Sequence, residues 1–119
     1  MKIRIVVAVL LGMVTVPAYA NLRTIGSGEK LEFDSSRFSP QMKRAYALMK
    51  SKCLVCHSME RTVVAITTGI APVSSTIFDK GSIHAYGLRM LRKPSSNLTR
   101  QDVKTIEGLL LYLLEDASR

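Results

Sequence analysis

The chain has 119 residues, 47% of them apolar and 22% charged, with 17 Lys and Arg against 9 Asp and Glu. That is room for one domain and no more. The surplus of positive charge suits acidic protein partners, nucleic acid or anionic membranes.

The first twenty residues read as a secretory signal. Lys2 and Arg4 give a positive start, an apolar run fills positions 5–16, and Pro17, Ala18, Tyr19 and Ala20 form an A-x-A type cleavage site. The run is shorter than the roughly 20 apolar residues that a bilayer-spanning helix needs. An uncleaved anchor is the alternative. Cleavage after Ala20 predicts a periplasmic protein of 99 residues. Two of the 17 basic residues lie in the signal, which leaves 15 against 9 acidic ones. Export argues against nucleic acid as the partner. A domain of this size buries only about two-thirds of its surface, so a large apolar cofactor at its centre would help to stabilise it.

Residues 21–38 are mixed and polar, with Gly26, Ser27, Gly28, Ser35 and Ser36 and no clear period. They read as an N-terminal extension or loosely attached arm. Ser39-Pro40 is a helix start, Ser as cap and Pro at the first helical position. Met42, Tyr46, Met49 and Cys53 then fall within a band of about 60° on a helix. The helix thus points its apolar stripe and its terminal cysteine the same way. Lys43, Arg44, Lys50 and Lys52 lie mostly off that stripe.

Between positions 58 and 81 the pattern is weak. Val63, Val64, Ala65 and Ile66 suit either helix or extended chain, while Gly69, Pro72, Ser74 and Ser75 argue for loop. Ser82 is a candidate cap for a short helix with Ile83, Tyr86 and Met90 on one side, ended by the turn Pro94-Ser95-Ser96-Asn97. Thr99-Arg100-Gln101-Asp102 opens the last helix as a capping box with Asp in place of Glu or Gln. Val103, Ile106, Leu110 and Leu113 give its stripe. Positions 109–114 are apolar all round apart from the phenol of Tyr112, as expected of a helix end buried on more than one side.

Cys53-Leu54-Val55-Cys56-His57 is C-x-x-C-H, the attachment motif of a c-type haem. Two thiols add to the two vinyl groups on one haem edge, so they must stand a short, fixed step apart. The next residue reaches the iron from one face, and imidazole is the neutral nitrogen donor suited to it. A redox C-x-x-C followed by a chance His is the competing reading. It lacks the strand–helix alternation of a thioredoxin-like fold. Zinc commonly takes four ligands, and beyond the motif only His84 is an obvious nitrogen donor.

The sixth position on the iron has two downstream candidates, His84 and Met90. Six residues apart on a helix, they face about 120° away from each other, so one helix offers only one of them. Met90 shares the more apolar side with Ile83 and is the expected ligand. Met59 is too near His57 to reach the opposite face.

The order helix, C-x-x-C-H, loop, Met, turn, final helix resembles the class I cytochromes c over positions 39–119. Cys56-His57-Ser58, Arg61, Arg89-Met90, Lys93-Pro94, Leu98-Thr99, Asp102 and Tyr112-Leu113 are similar to a compact monohaem subtype. The resemblance implies an all-α fold of three to four helices packed around one covalently bound haem, the first and last helices crossing. It puts Ala45 at that crossing, with Tyr112 packed there. It implies a loop carbonyl accepting from the second nitrogen of His57, with Pro72 the nearest match to the family's Gly-Pro segment.

The expected function is electron transfer: an electron carrier, not an enzyme, with haem c on Cys53 and Cys56, His57 proximal and Met90 distal. Met/His ligation favours the reduced state relative to two histidines. Arg89, Arg92 and Lys93 bracket Met90 and suit a docking face for redox partner proteins that are acidic there. No nucleic acid or small-molecule substrate is expected, and membrane association only through partners or an uncleaved signal. The alternative is a haem-based sensor or ligand-binding domain with an open or displaceable distal site. A peroxidase-like enzyme would need distal acid–base groups, for which His84 is the only candidate in sight.

Overall fold

A computed structural model describes residues 22–54 and 57–118. The signal-like segment 1–20 lies outside them. The described chain is mostly helical. It runs through strand β1 (Thr24–Ile25), a 3-10 turn (Gly28–Lys30), strand β2 (Glu32–Phe33) and helices α1 (Pro40–Cys53), α2 (Glu60–Thr68), α3 (Lys80–Leu91) and α4 (Arg100–Ala117). Among these residues no helix is long and apolar enough to cross a membrane.

Local chemistry sets the helix ends. Ser39 Oγ accepts from the Met42 N–H at 3.2 Å, and Pro40 opens α1 where its missing N–H costs nothing. Thr99 Oγ1 accepts from the Asp102 N–H while an Asp102 carboxylate oxygen accepts from the Thr99 N–H, each at 3.0 Å. The capping box expected at the start of α4 is therefore complete with Asp. The helix after the loop begins earlier than a Ser82 cap predicts. Asp79 is its cap, Oδ1 accepting from the Ser82 N–H at 2.9 Å, and the Ser82 hydroxyl instead donates to the Ile77 carbonyl at 2.7 Å.

The undecided stretch around Val63 is helix. Its β-branched Val63 and Ile66 are held by packing, both buried together with Ala65. Gly69, at φ +73°, ends α2 in the left-handed conformation. Residues 70–78 then fold back on themselves, with bonds from the Ala71 N–H to the Thr76 carbonyl and from the Phe78 N–H to the Gly69 carbonyl, both 2.8 Å.

The reading of residues 21–38 as a loose arm needs correction. β1 and β2 pair antiparallel, Thr24 opposite Phe33, which adds a small β-ribbon to the expected all-α fold. Phe33 is 1% exposed and meets Tyr46 edge-on, as does Phe38. The 3-10 turn and β2 also pack on α2. The segment lacks a period because it joins the core through single aromatic anchors rather than a helical stripe.

α4 packs against each of the other three helices. Leu109 and Leu113 are fully buried, while Val103 and Ile106 are nearly so. Ala45 is buried on α1, which packs on α4. Tyr112 departs from the packing that the family resemblance implies. It is 44% exposed and lines a surface groove with Leu22, Phe38 and Asp116.

Candidate haem-type site

The helices leave a mostly apolar cleft of about 320 Å³, open at one side. α1 contributes Met49 and Cys53, and α2 contributes Arg61, Thr62 and Ala65. The loop after α2 supplies Ala71, Pro72, Val73 and Phe78. α3 supplies Ile83, Tyr86, Gly87, Arg89 and Met90; Lys93 and Leu98 follow it. α4 forms the floor with Val103, Ile106, Glu107 and Leu110.

Three of the four site residues expected from sequence therefore line one cleft: Cys53, His57 and Met90. The fourth, Cys56, lies outside the described residues. Cys53 sits in the last turn of α1, whose end is fastened to the chain entering α4. Lys52 Nζ donates to the Asn97 carbonyl at 2.9 Å and stands 3.8 Å from an Asp102 carboxylate oxygen. The His57 N–H donates to the Cys53 carbonyl at 3.3 Å, which ties the imidazole residue to the end of α1. His57 Nδ1 lies 3.1 Å from the Ser58 carbonyl. A proton on Nδ1 in that contact leaves Nε2 as the free donor atom. The carbonyl is thus the neighbouring residue's, not one from the Pro72 segment, although Pro72 does line the cleft.

The two candidate distal donors separate. Met90 is on the cleft wall. His84 is on the same helix but not on that wall. Its side chain is 67% exposed, with Nδ1 3.4 Å from a Glu107 carboxylate oxygen. The cations divide as well: Arg89 and Lys93 line the cleft, joined by Arg61, while Arg92 does not. Arg89 lies over the Tyr86 ring, 5.2 Å from its centroid, a cation–π geometry that holds the guanidinium at the cleft.

Sequence reading missed Glu107. It occupies the cleft floor among apolar neighbours, and its Oε1 is buried with no hydrogen-bond partner. Gly87 admits it: a Cβ there would collide with Glu107 Oε1. The signal was present in the stripe. Val103, Glu107 and Leu110 lie within about 60° on a helix, so an acid stands where the pattern calls for an apolar residue.

Among the described residues no three His, Cys, Asp or Glu side chains group to hold a bare metal ion. What converges is a sulfur and an imidazole at one end, a thioether on the α3 wall, apolar sides and three cations. That donor set is compatible with a flat, largely apolar macrocycle that brings its own iron and carboxylates. The chain matches no family model, no curated protein and no solved structure.

Proposed function

We propose that the cleft holds one covalently attached c-type haem and that the chain is an electron carrier of small cytochrome c type, exported to the periplasm. The observation that carries this reading is the convergence of Cys53, His57 and Met90 on one apolar cleft, with the C-x-x-C-H spacing in the sequence. Bound there, the haem supplies a one-electron ferrous/ferric couple.

The residues have distinct tasks. Cys53 and Cys56 would form the two thioethers. His57 would give Nε2 to the iron, its ring oriented through the Nδ1 contact with Ser58. Met90 would give its sulfur from the α3 wall. A site closed by both leaves no position for a substrate, which is why the reading is a carrier and not an enzyme. Ile83, Ile106, Leu110 and Phe78 line the cleft and would exclude water from the macrocycle. Arg61, Arg89 and Lys93 are placed to pair with its carboxylates or to draw an acidic redox partner to the cleft mouth.

Mass spectrometry of the exported protein tests the core of this. The expected mass is that of the chain from Asn21 plus one haem, and acid–acetone should leave the haem on the protein. Haem that extracts, or a Cys53–Cys56 disulfide in the isolated protein, would refute the reading.

A further inference from the structure

We infer that Glu107 is a potential-setting carboxylate, its charge on the cleft floor favouring the ferric state of the haem proposed above, on which reading the inference rests. Two observations meet at this residue. It lines the same cleft as Met90, and its Oε1 is buried with no partner. Its other oxygen lies 3.4 Å from Nδ1 of His84, so one end of the carboxylate is held and the other is left to the interior. Leaving that oxygen without a partner costs stability, a cost that a group lying against the cleft would offset.

The physics gives the sign. Ferric iron carries one more positive charge than ferrous iron. A fixed negative charge nearby therefore stabilises the oxidised form, and more strongly in a poorly polarisable interior than in water. The cations on the cleft wall, Arg61, Arg89 and Lys93, act in the opposite sense, and among the described residues Glu107 is the one acid set against them on that lining. Gly87 is part of the device, since any side chain there would push the carboxylate away. The step affected is the arrival of one electron from a donor protein. No bond is made or broken in it, and no proton is required.

The test is equilibrium redox titration of the haem-loaded full-length protein and three variants. Glu107→Gln keeps the shape and removes the charge. Glu107→Asp keeps the charge. Glu29→Gln removes an equal charge from the exposed 3-10 turn. In Glu107→Gln the ferrous-to-ferric ratio at fixed solution potential should rise about tenfold, which is about 59 mV for a one-electron couple. The absorption spectrum, including the methionine-to-ferric-iron band, should stay as in wild type. Glu107→Asp should retain most of the wild-type value, and Glu29→Gln should match wild type. An unchanged or lowered midpoint in Glu107→Gln overturns the inference, as does an equal rise in Glu29→Gln. Loss of the methionine band in Glu107→Gln overturns it too, because the residue would then act through ligand packing. A protein that carries no haem overturns both this inference and the reading beneath it; a haem-loaded protein with an insensitive midpoint overturns this one alone.

Discussion

The hydroxyl of Tyr46 accepts the main-chain N–H of Phe33 at 3.0 Å, and both residues are at most 2% exposed. This bond fastens the β-ribbon to α1 beneath the surface. Tyr46→Phe would leave the Phe33 N–H buried without a partner and should cost about 1–3 kcal/mol in a denaturant titration. Burial, the largest cause, raises the Tyr46 phenol from its ordinary value of 10.0 to about 12. The unfolded chain thus ionises this phenol before the folded one does. Stability from this group is complete below about pH 10 and is lost as pH rises toward about 12. Tyr46→Phe should flatten that alkaline decline; an equally steep decline in the variant would assign it to other groups.

Leu113 and Leu110 lie three positions apart on α4 but face different surroundings. Leu113 is fully buried, whereas Leu110 is partly exposed on the cleft. Leu113→Ala should destabilise by about 2–5 kcal/mol. Leu110→Ala should cost the haem-free protein less, since its side chain borders open space. Equal losses in the haem-free chain would place the two residues in equivalent packing and contradict the cleft.

Thr99→Ala removes the cap of α4 and should cost about 1 kcal/mol, measured by thermal unfolding. The Thr99 N–H, the largest cause, holds the Asp102 carboxyl below its ordinary value, with a smaller contribution from Lys52. This group's stabilisation is present above its unfolded value and lost as pH falls through the folded one. Asp102→Asn should therefore weaken the acid-side dependence of stability, and an unaltered acid profile would count against the reciprocal cap.

On the proposed haem reading, Met90→Ala should abolish the weak far-red sulfur-to-ferric-iron band, lower the midpoint potential and open the iron to cyanide or carbon monoxide. His84→Ala should leave the band in place, because the imidazole stands outside the cleft. The reverse pattern would make the protein a bis-histidine cytochrome. A wild type already high-spin would favour the sensor or ligand-binding reading.

Arg61, Arg89 and Lys93 border the cleft, whereas Arg23 and Lys30 sit on the β-ribbon side. Electron exchange with an acidic partner should slow as salt rises, the Debye length falling from about 10 Å at 0.1 M to 3 Å at 1 M. Charge reversal at the cleft residues should reduce that salt dependence more than reversal at Arg23 and Lys30. Stopped-flow rates at several ionic strengths decide this; equal effects would leave only the net charge of the molecule.

What could be read from the sequence follows the range of the forces involved. Ser39, Pro40, Thr99 and Asp102 act within one helical turn, so both long helices could be bounded from their caps. Asp79 and Ser82 show the limit: either can cap, and the contact between Ser82 and the Ile77 carbonyl decides for Asp79. α2 was ambiguous because Val63, Val64 and Ile66 favour extended chain locally, and only burial of Val63 and Ile66 in the core holds them helical. Phe33 could not be placed because its partner Tyr46 lies 13 residues away. Cys53 and His57 could be named from the C-x-x-C-H spacing, and Met90 from the apolar side it shares with Ile83; the three line one cleft. Glu107 could not be, because a single acid in a stripe gains meaning only when Gly87 of another helix is seen to make room for it.

Gly69 turns the chain sharply out of α2, and the bonds that close residues 70–78 begin and end within residues 69–78. This lip of the cleft is closed in part on itself and is also tied to α3, the Ser82 hydroxyl donating to the Ile77 carbonyl and the Ser74 hydroxyl lying 3.0 Å from that of Tyr86. Ala71 and Phe78 anchor it in the core, so a change of chemistry is tolerated at its exposed positions and not at these two. Val73 and Ile77, at 73% and 72% exposure the most exposed large apolar residues among those described, sit on that lip. Adaptation to a new partner at the cleft mouth can accordingly proceed at those two positions, leaving the caps and the core of the protein untouched.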